Sequence, residues 1–105
     1  MEAFVQVVTT IGTREDAERI ARTMVERRLA ACVQVAGPVS STYWWEGRIE
    51  EAAEWQCLLK ARSDRFEVLE RAIREIHPYE VPEIVALPLV RVSKSYLEWL
   101  RRELD

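Results

Sequence analysis

The sequence is poor in the residues that most often carry chemistry: 105 residues include one histidine, two cysteines, two lysines and three glycines. A closed tetrahedral metal site takes four protein ligands, so one imidazole and two distant thiols cannot build one within a single chain. Cys32 and Cys57 lack C-x-x-C spacing and sit in strand-like surroundings, which reads as free thiols in a reducing compartment. The chain has no glycine-rich anion cradle, and no motif joins Cys32 and His77 to an orienting third group, so no enzyme is expected. No apolar run approaches the ~20 residues of a membrane span. The start "MEAFVQVV" has neither the charged region nor the cleavage site of a secretory leader, so the cytoplasm, without membrane contact, is the expected location. Excess charge is missing as well. Fifteen basic residues against 18 acidic ones give a net charge of −3, and the bases are interleaved with acids, which excludes a nucleic-acid stripe.

What is present is an ordinary globular composition, 49% hydrophobic and 31% charged, with no linker or repeat, so one domain over residues 1–105 is expected. "AFVQVVTT" is β-branched and bounded by Gly12, the pattern of a strand. Thr13 and Asp16 form a capping-box-like start to a helix reaching about Arg28. Its apolar stripe is Ala17, Ile20, Ala21, Met24 and Val25, with Glu15–Arg19 and Glu18–Arg22 pairs on the wet face. "AACVQVAGPVSSTYWW" and "RIEEAAEWQCLLKAR" are two strands joined at Glu46-Gly47, where Gly47 supplies a positive φ. Ser63 is placed to cap a second helix with Phe66, Leu69, Ile73 and Ile76 on one face, Glu67–Arg71 and Glu70–Arg74 on the other, and Pro78 as its stop. "VPEIVALPLVRV" reads as a fourth strand, which Pro82 and Pro88 restrict to an edge or bulged ladder. "SKSYLEWLRREL" is a closing helix capped by Ser93, with Leu97, Leu100, Leu104 and Trp99 packing inward. The order β-α-β-β-α-β-α folds most simply into a ferredoxin-like α+β sheet with helices on one face.

One element is too long for that domain. An arm of ~13 residues reaches about 43 Å at ~3.3 Å per residue, whereas a compact domain of this size is about 33 Å across. The hairpin therefore projects, and it carries Tyr43, Trp44, Trp45 and Trp55 with the Gly47 turn. Leaving these rings and two open strand edges in water invites aggregation, so self-association through them is expected.

"RRLAACVQV", "STYWWEGRIEE", "CLLKAR", "HPYEVPEIVALPL" and "YLEWL" resemble, in order and spacing, the CutA divalent-cation-tolerance family over essentially the whole chain. The resemblance implies a homotrimer whose long hairpins exchange edges, an architecture similar to PII signalling proteins, and association with copper and other divalent cations. Some family members carry a cysteine at the end of the first strand and a histidine before the His-Pro pair. This sequence has Thr9 and Ile76 there, and Gln34 where an asparagine is usual.

His77 has two readings: a copper or zinc ligand, or a helix-terminal residue whose ring bonds the last carbonyls of its own helix. Cys32 and Cys57 read as core packing, with Cys32 the thiol available to a metal site that Glu83 would help complete at a subunit interface. Lys60 with Tyr79 and Glu83 would instead give a polar pocket in an intersubunit cleft for a small anion, in a PII-like module that also docks a partner protein. The tryptophans lack the basic neighbours of a base-stacking platform.

Overall fold

The computed structural model describes residues 3–105. Strands β1 (Phe4–Ile11), β2 (Cys32–Trp45), β3 (Arg48–Arg62) and β4 (Ile84–Pro88) alternate with helices α1 (Arg14–Glu26), α2 (Phe66–Ile76) and α3 (Lys94–Leu104). The sheet runs β2-β3-β1-β4 and every neighbouring pair is antiparallel, which is the ferredoxin-like order. Strand alternation sends Val5, Val7 and Ile11 to one face with Cys57, Leu59 and Ala61 of β3. There they meet Ala17, Ile20 and Met24 of α1 and Leu69, Ala72 and Ile73 of α2. Fully burying one such side chain contributes about 1.5–3 kcal/mol relative to leaving it exposed.

The third helix departs from the expected one-sided cover. Phe4 alternates to the opposite face and packs with Leu100 and Leu104, so α3 covers that face only at its Phe4 end. Trp99 joins this small cluster, as the closing helix suggested. Farther along the second face Val8 and Thr10 are buried, at 9% and 8% exposure, whereas Gln56 and Leu58 are half-buried.

The hairpin pairs from Cys32↔Lys60 out to Trp45↔Arg48. Its turn has positive φ at both Glu46 (49°) and Gly47 (77°), the requirement of the two-residue type I′ connection. The extents of 44 × 25 × 23 Å match the reach expected for the arms. Midway, the register shifts between Ala36 and Val39, where Gly37 comes so close to Trp55 that a Cβ would lie 2.9 Å from its ring.

Several local expectations need correction. The fourth strand is only Ile84–Pro88, entered just after Pro82 and ending on Pro88, neither of which has an N–H to give the ladder. Thr13 caps α1 through Asp16 N–H at 3.1 Å. Ser63 opens a short 3-10 turn before α2, and Ser93 stands at the start of α3; neither hydroxyl makes a cap bond. Helix pairing on α1 runs Arg14–Glu18 and Arg22–Glu26 rather than through Arg19, and no ion pair forms among Glu67, Glu70, Arg71 and Arg74. Val25 lies at the rim of its stripe, 41% exposed. Trp55 is not at the hairpin tip: it pairs with Ile11, packs on the main core and carries the Arg14 guanidinium over its ring at 5.6 Å.

Candidate functional site

His77 ends α2 and is 8% exposed. Its ring does not bond its own helix. Nδ1 accepts the Tyr79 amide at 3.1 Å, and since a backbone N–H can only donate, Nε2 carries the proton and donates to the Thr10 carbonyl at 2.8 Å. Both ring nitrogens are thus spent on tying the 77–79 segment to β1, and neither offers a lone pair to a metal unless one of these bonds breaks.

That tie aims the next side chain. Tyr79 stacks edge-on against His77, with ring centroids 4.7 Å apart, and its hydroxyl donates to Glu54 Oε2 at 2.9 Å. Glu54 is 6% exposed and makes no ion pair among the described residues. Partial burial, helped by this neighbouring carboxylate, pushes the Tyr79 hydroxyl up to about 12, so at neutral pH it stays a donor. The pair forms the floor of an open groove of about 740 Å³ between the outer part of β2 and the loop that follows α2. Tyr43, Trp45, Glu80 and Glu83 are among its walls, and no lysine or arginine lines it.

The sheet register decides which predicted residues meet. Tyr79 and Glu83 share the groove. Lys60 does not: it lies opposite Cys32 and Gln6, bonds Gln6 Oε1 at 2.6 Å, and is six residues from Glu54 along β3, about 20 Å at ~3.3 Å per residue. Cys32, in the same row, is four residues along the strands and two strands across from the His77 anchor at Thr10, about 16 Å. Cys57 is fully buried, donates to the Ala17 carbonyl at 3.5 Å, and burial pushes its thiol up to about 11, so it is inert packing. Thr9 is fully buried on the helix-covered face of the sheet.

Among the described residues no three of His, Cys, Asp and Glu converge as a metal-ligand group. The donors of one chain therefore do not by themselves fit a closed metal site. Glu54 is the groove residue that the sequence reading passed over. Its signal is weak but real: a carboxylate in the phase of Gln56 and Leu58, inside the part of β3 that alternates.

An antiparallel four-stranded sheet with the β2-β3-β1-β4 order, an overlong hairpin and a carboxylate-lined groove along its outer arm defines a small ferredoxin-like α+β protein of the hairpin-extended kind. The chain belongs to the CutA1 divalent ion tolerance protein family, whose model matches residues 5–103. It is 42% identical over 95 residues to the divalent-cation tolerance protein CutA of Thermus thermophilus, covering 90% of this chain and 92% of that one. To the chloroplastic Protein CutA 1 of Oryza sativa it is 36% identical, over 90% of this chain and 54% of the relative. The solved structure of the periplasmic divalent cation tolerance protein CutA from Archaeoglobus fulgidus superposes with a TM-score of 0.93 at 36% identity, covering 97% of this chain and 99% of that one. No helix among the described residues is long and apolar enough to cross a membrane.

Proposed function

We propose that this chain is a single-domain divalent-cation tolerance protein that works as a cytoplasmic, non-enzymatic homotrimer and takes copper weakly at sites shared between subunits. The observation that supports this most is the coincidence of an incomplete donor set with an uncovered apolar surface. Glu83 and Glu80 line the groove, while Trp44, Ile49, Val85 and Leu87 stand between 46% and 72% exposed around the same hairpin and sheet edge. Apolar side chains in that number ask for a covering layer, and a second copy that supplies it would bring further carboxylates to the groove. Copper heads the divalent affinity series for nitrogen and oxygen donors, so it outcompetes zinc at such a site.

Of the expected metal set, Glu83 is the donor this reading relies on, because it lines the groove, while His77 has both ring nitrogens bonded and Cys32 lies away from it. Light scattering on the eluting protein is expected to give about three times 12.3 kDa. Isothermal titration is expected to show at least tenfold weaker Cu²⁺ binding in Glu83→Gln and unchanged binding in Cys32→Ser. A stable monomer at micromolar concentration, or equal copper affinity in Glu83→Gln, would sink this reading. The alternative, a PII-like module that takes a small anion in an intersubunit cleft and docks a partner protein, would draw its positive charge from Lys60, since the charged groups lining the groove of one chain are all carboxylates.

A further inference from the structure

We infer that His77 is a pH-operated latch on the loop of residues 77–83: the neutral ring fastens the loop to β1, and protonation of Nδ1 lets the loop go at Tyr79. The device lies within one chain and stands whether or not copper binds.

The first support is how little else holds the loop. Residues 77–83 make no backbone–backbone hydrogen bond outside the helices and strands and enter no ion pair among the described residues. Their ties to the fold are His77 Nε2 on the Thr10 carbonyl at 2.8 Å and the Tyr79 hydroxyl on Glu54 at 2.9 Å, and the Tyr79 amide closes the loop onto His77 Nδ1 at 3.1 Å. Apolar burial adds little, with Val81 67% and Tyr79 37% exposed. The second support is the place of the ring. β1 pairs with β4 only as far as Thr9, and the next carbonyl, at Thr10, takes the imidazole instead.

Imidazole is the side chain that ordinarily changes charge between about pH 5 and 8. An imidazolium carries N–H on both nitrogens and accepts nothing. Its Nδ1–H would point at the Tyr79 N–H, two donors with no acceptor between them, on a ring only 8% exposed. The bond to Thr10 becomes charge-assisted and stronger, so the ring stays on β1 and the contact that breaks is the one to Tyr79. The ionisable side chains on the elements around it are Glu54 on β3, Tyr79, Glu80 and Glu83 on the loop, Arg74 and Glu75 on α2, and Arg14 and Glu18 at the start of α1; β1 has none. Glu75 is engaged by Arg27 and Glu18 by Arg14, and no carboxylate bonds the ring. No carboxylate is thus in place to take over Nδ1 when Tyr79 leaves it.

Because the chain has one histidine, the nitrogen-15 resonances of its imidazole report protonation without ambiguity. In metal-free protein taken from about pH 8 to 5, the Tyr79 amide is followed by hydrogen exchange corrected for the intrinsic pH dependence of the reaction. It is expected to lose at least tenfold in protection with the midpoint of the imidazole titration, while the β1 amides keep theirs. His77→Asn offers a side-chain oxygen to the amide two residues on, as in an Asx turn, and has nothing to protonate, so its Tyr79 protection should be flat over the same range. Glu54→Gln keeps an oxygen for the Tyr79 hydroxyl and should retain the wild-type response. The wild-type comparison stands by itself if a variant fails to fold. An imidazole that stays neutral in the folded protein down to about pH 5, Tyr79 protection that ignores the imidazole titration, or the same loss in His77→Asn overturns the inference. A response abolished in Glu54→Gln assigns it to that carboxylate and overturns the inference equally.

Discussion

Leu59 and Ile49 are ten residues apart on β3, yet Leu59 is fully buried and Ile49 is 62% exposed. The inner half of the strand lies under α1 and α2, where Cys57, Leu59 and Ala61 alternate inward against Val7 and Val33. The outer half has the same strand-forming residue types, the same partner strand and an intact ladder, but no layer of this chain faces it. Alternation is therefore a local property that both halves satisfy, while burial is supplied by whatever packs on top. The bulge at Gly37 marks the border between the two regimes.

The largest expected contrast comes from truncating those two residues. Leu59→Ala should cost about 2–5 kcal/mol, the range for a large-to-small change at a fully buried site, read by urea titration. Ile49→Ala should stay within about 0.5 kcal/mol, as an exposed position does. Equal costs would break the comparison. A cost for Ile49→Ala that grows with protein concentration would sharpen it, since it would show a second copy covering the outer half.

Most of the fold was legible where the cause is local. Thr13 caps its helix because the Asp16 amide is three residues away, Pro78 halts α2 through its own ring, and Glu46-Gly47 turns because two adjacent residues accept positive φ. What failed depended on partners distant in sequence. Trp55 reads like Trp44 and Trp45 in a string of letters, but the β1 register places it beside Ile11 and beneath Arg14. His77 reads as a ligand or as a cap for its own helix, whereas its bonds run to Thr10, 67 residues earlier, and to Tyr79. Tyr79 and Glu83 belong to one short loop, and both line the groove. The meeting of Glu54 with Tyr79 needs the whole sheet to be assembled, so nothing local signals it, and within one chain Lys60 lies about 20 Å from Glu54 along β3.

The two glycines of the hairpin test the border next. Gly37→Ala should cost about 1–3 kcal/mol, from a Cβ 2.9 Å from Trp55 at a backbone φ of 154°. Gly47→Val meets nothing within 4 Å and suffers only the left-handed backbone, at φ 77°, so about 1–2 kcal/mol is expected. Denaturant midpoints that rank them the other way would mean that the tip, rather than the bulge, holds the hairpin in register.

The smallest expected effect is a two-step loss of stability in alkali, one step from each region. Cys57, in the packed half, has its thiol raised by burial from 9.0 to about 11. The native state therefore holds that proton more tightly than the unfolded chain does. Its contribution is complete below pH 9, is lost as pH climbs toward 11, and amounts to about 1 kcal/mol at pH 10. Tyr79, at the groove, is raised from 10.0 to about 12, by burial first and by its bond to Glu54 second, so its contribution lasts to pH 10 and fades toward 12. It is 37% exposed, and solvent screening makes its step the shallower one. Unfolding midpoints measured from pH 8 to 12 should show Cys57→Ala flattening the earlier limb and Tyr79→Phe the later one. Because the two residues belong to different halves of the molecule, the double variant should lose both limbs additively. A single shared step removed by either substitution alone would show that the packed half and the groove are one electrostatic unit rather than two.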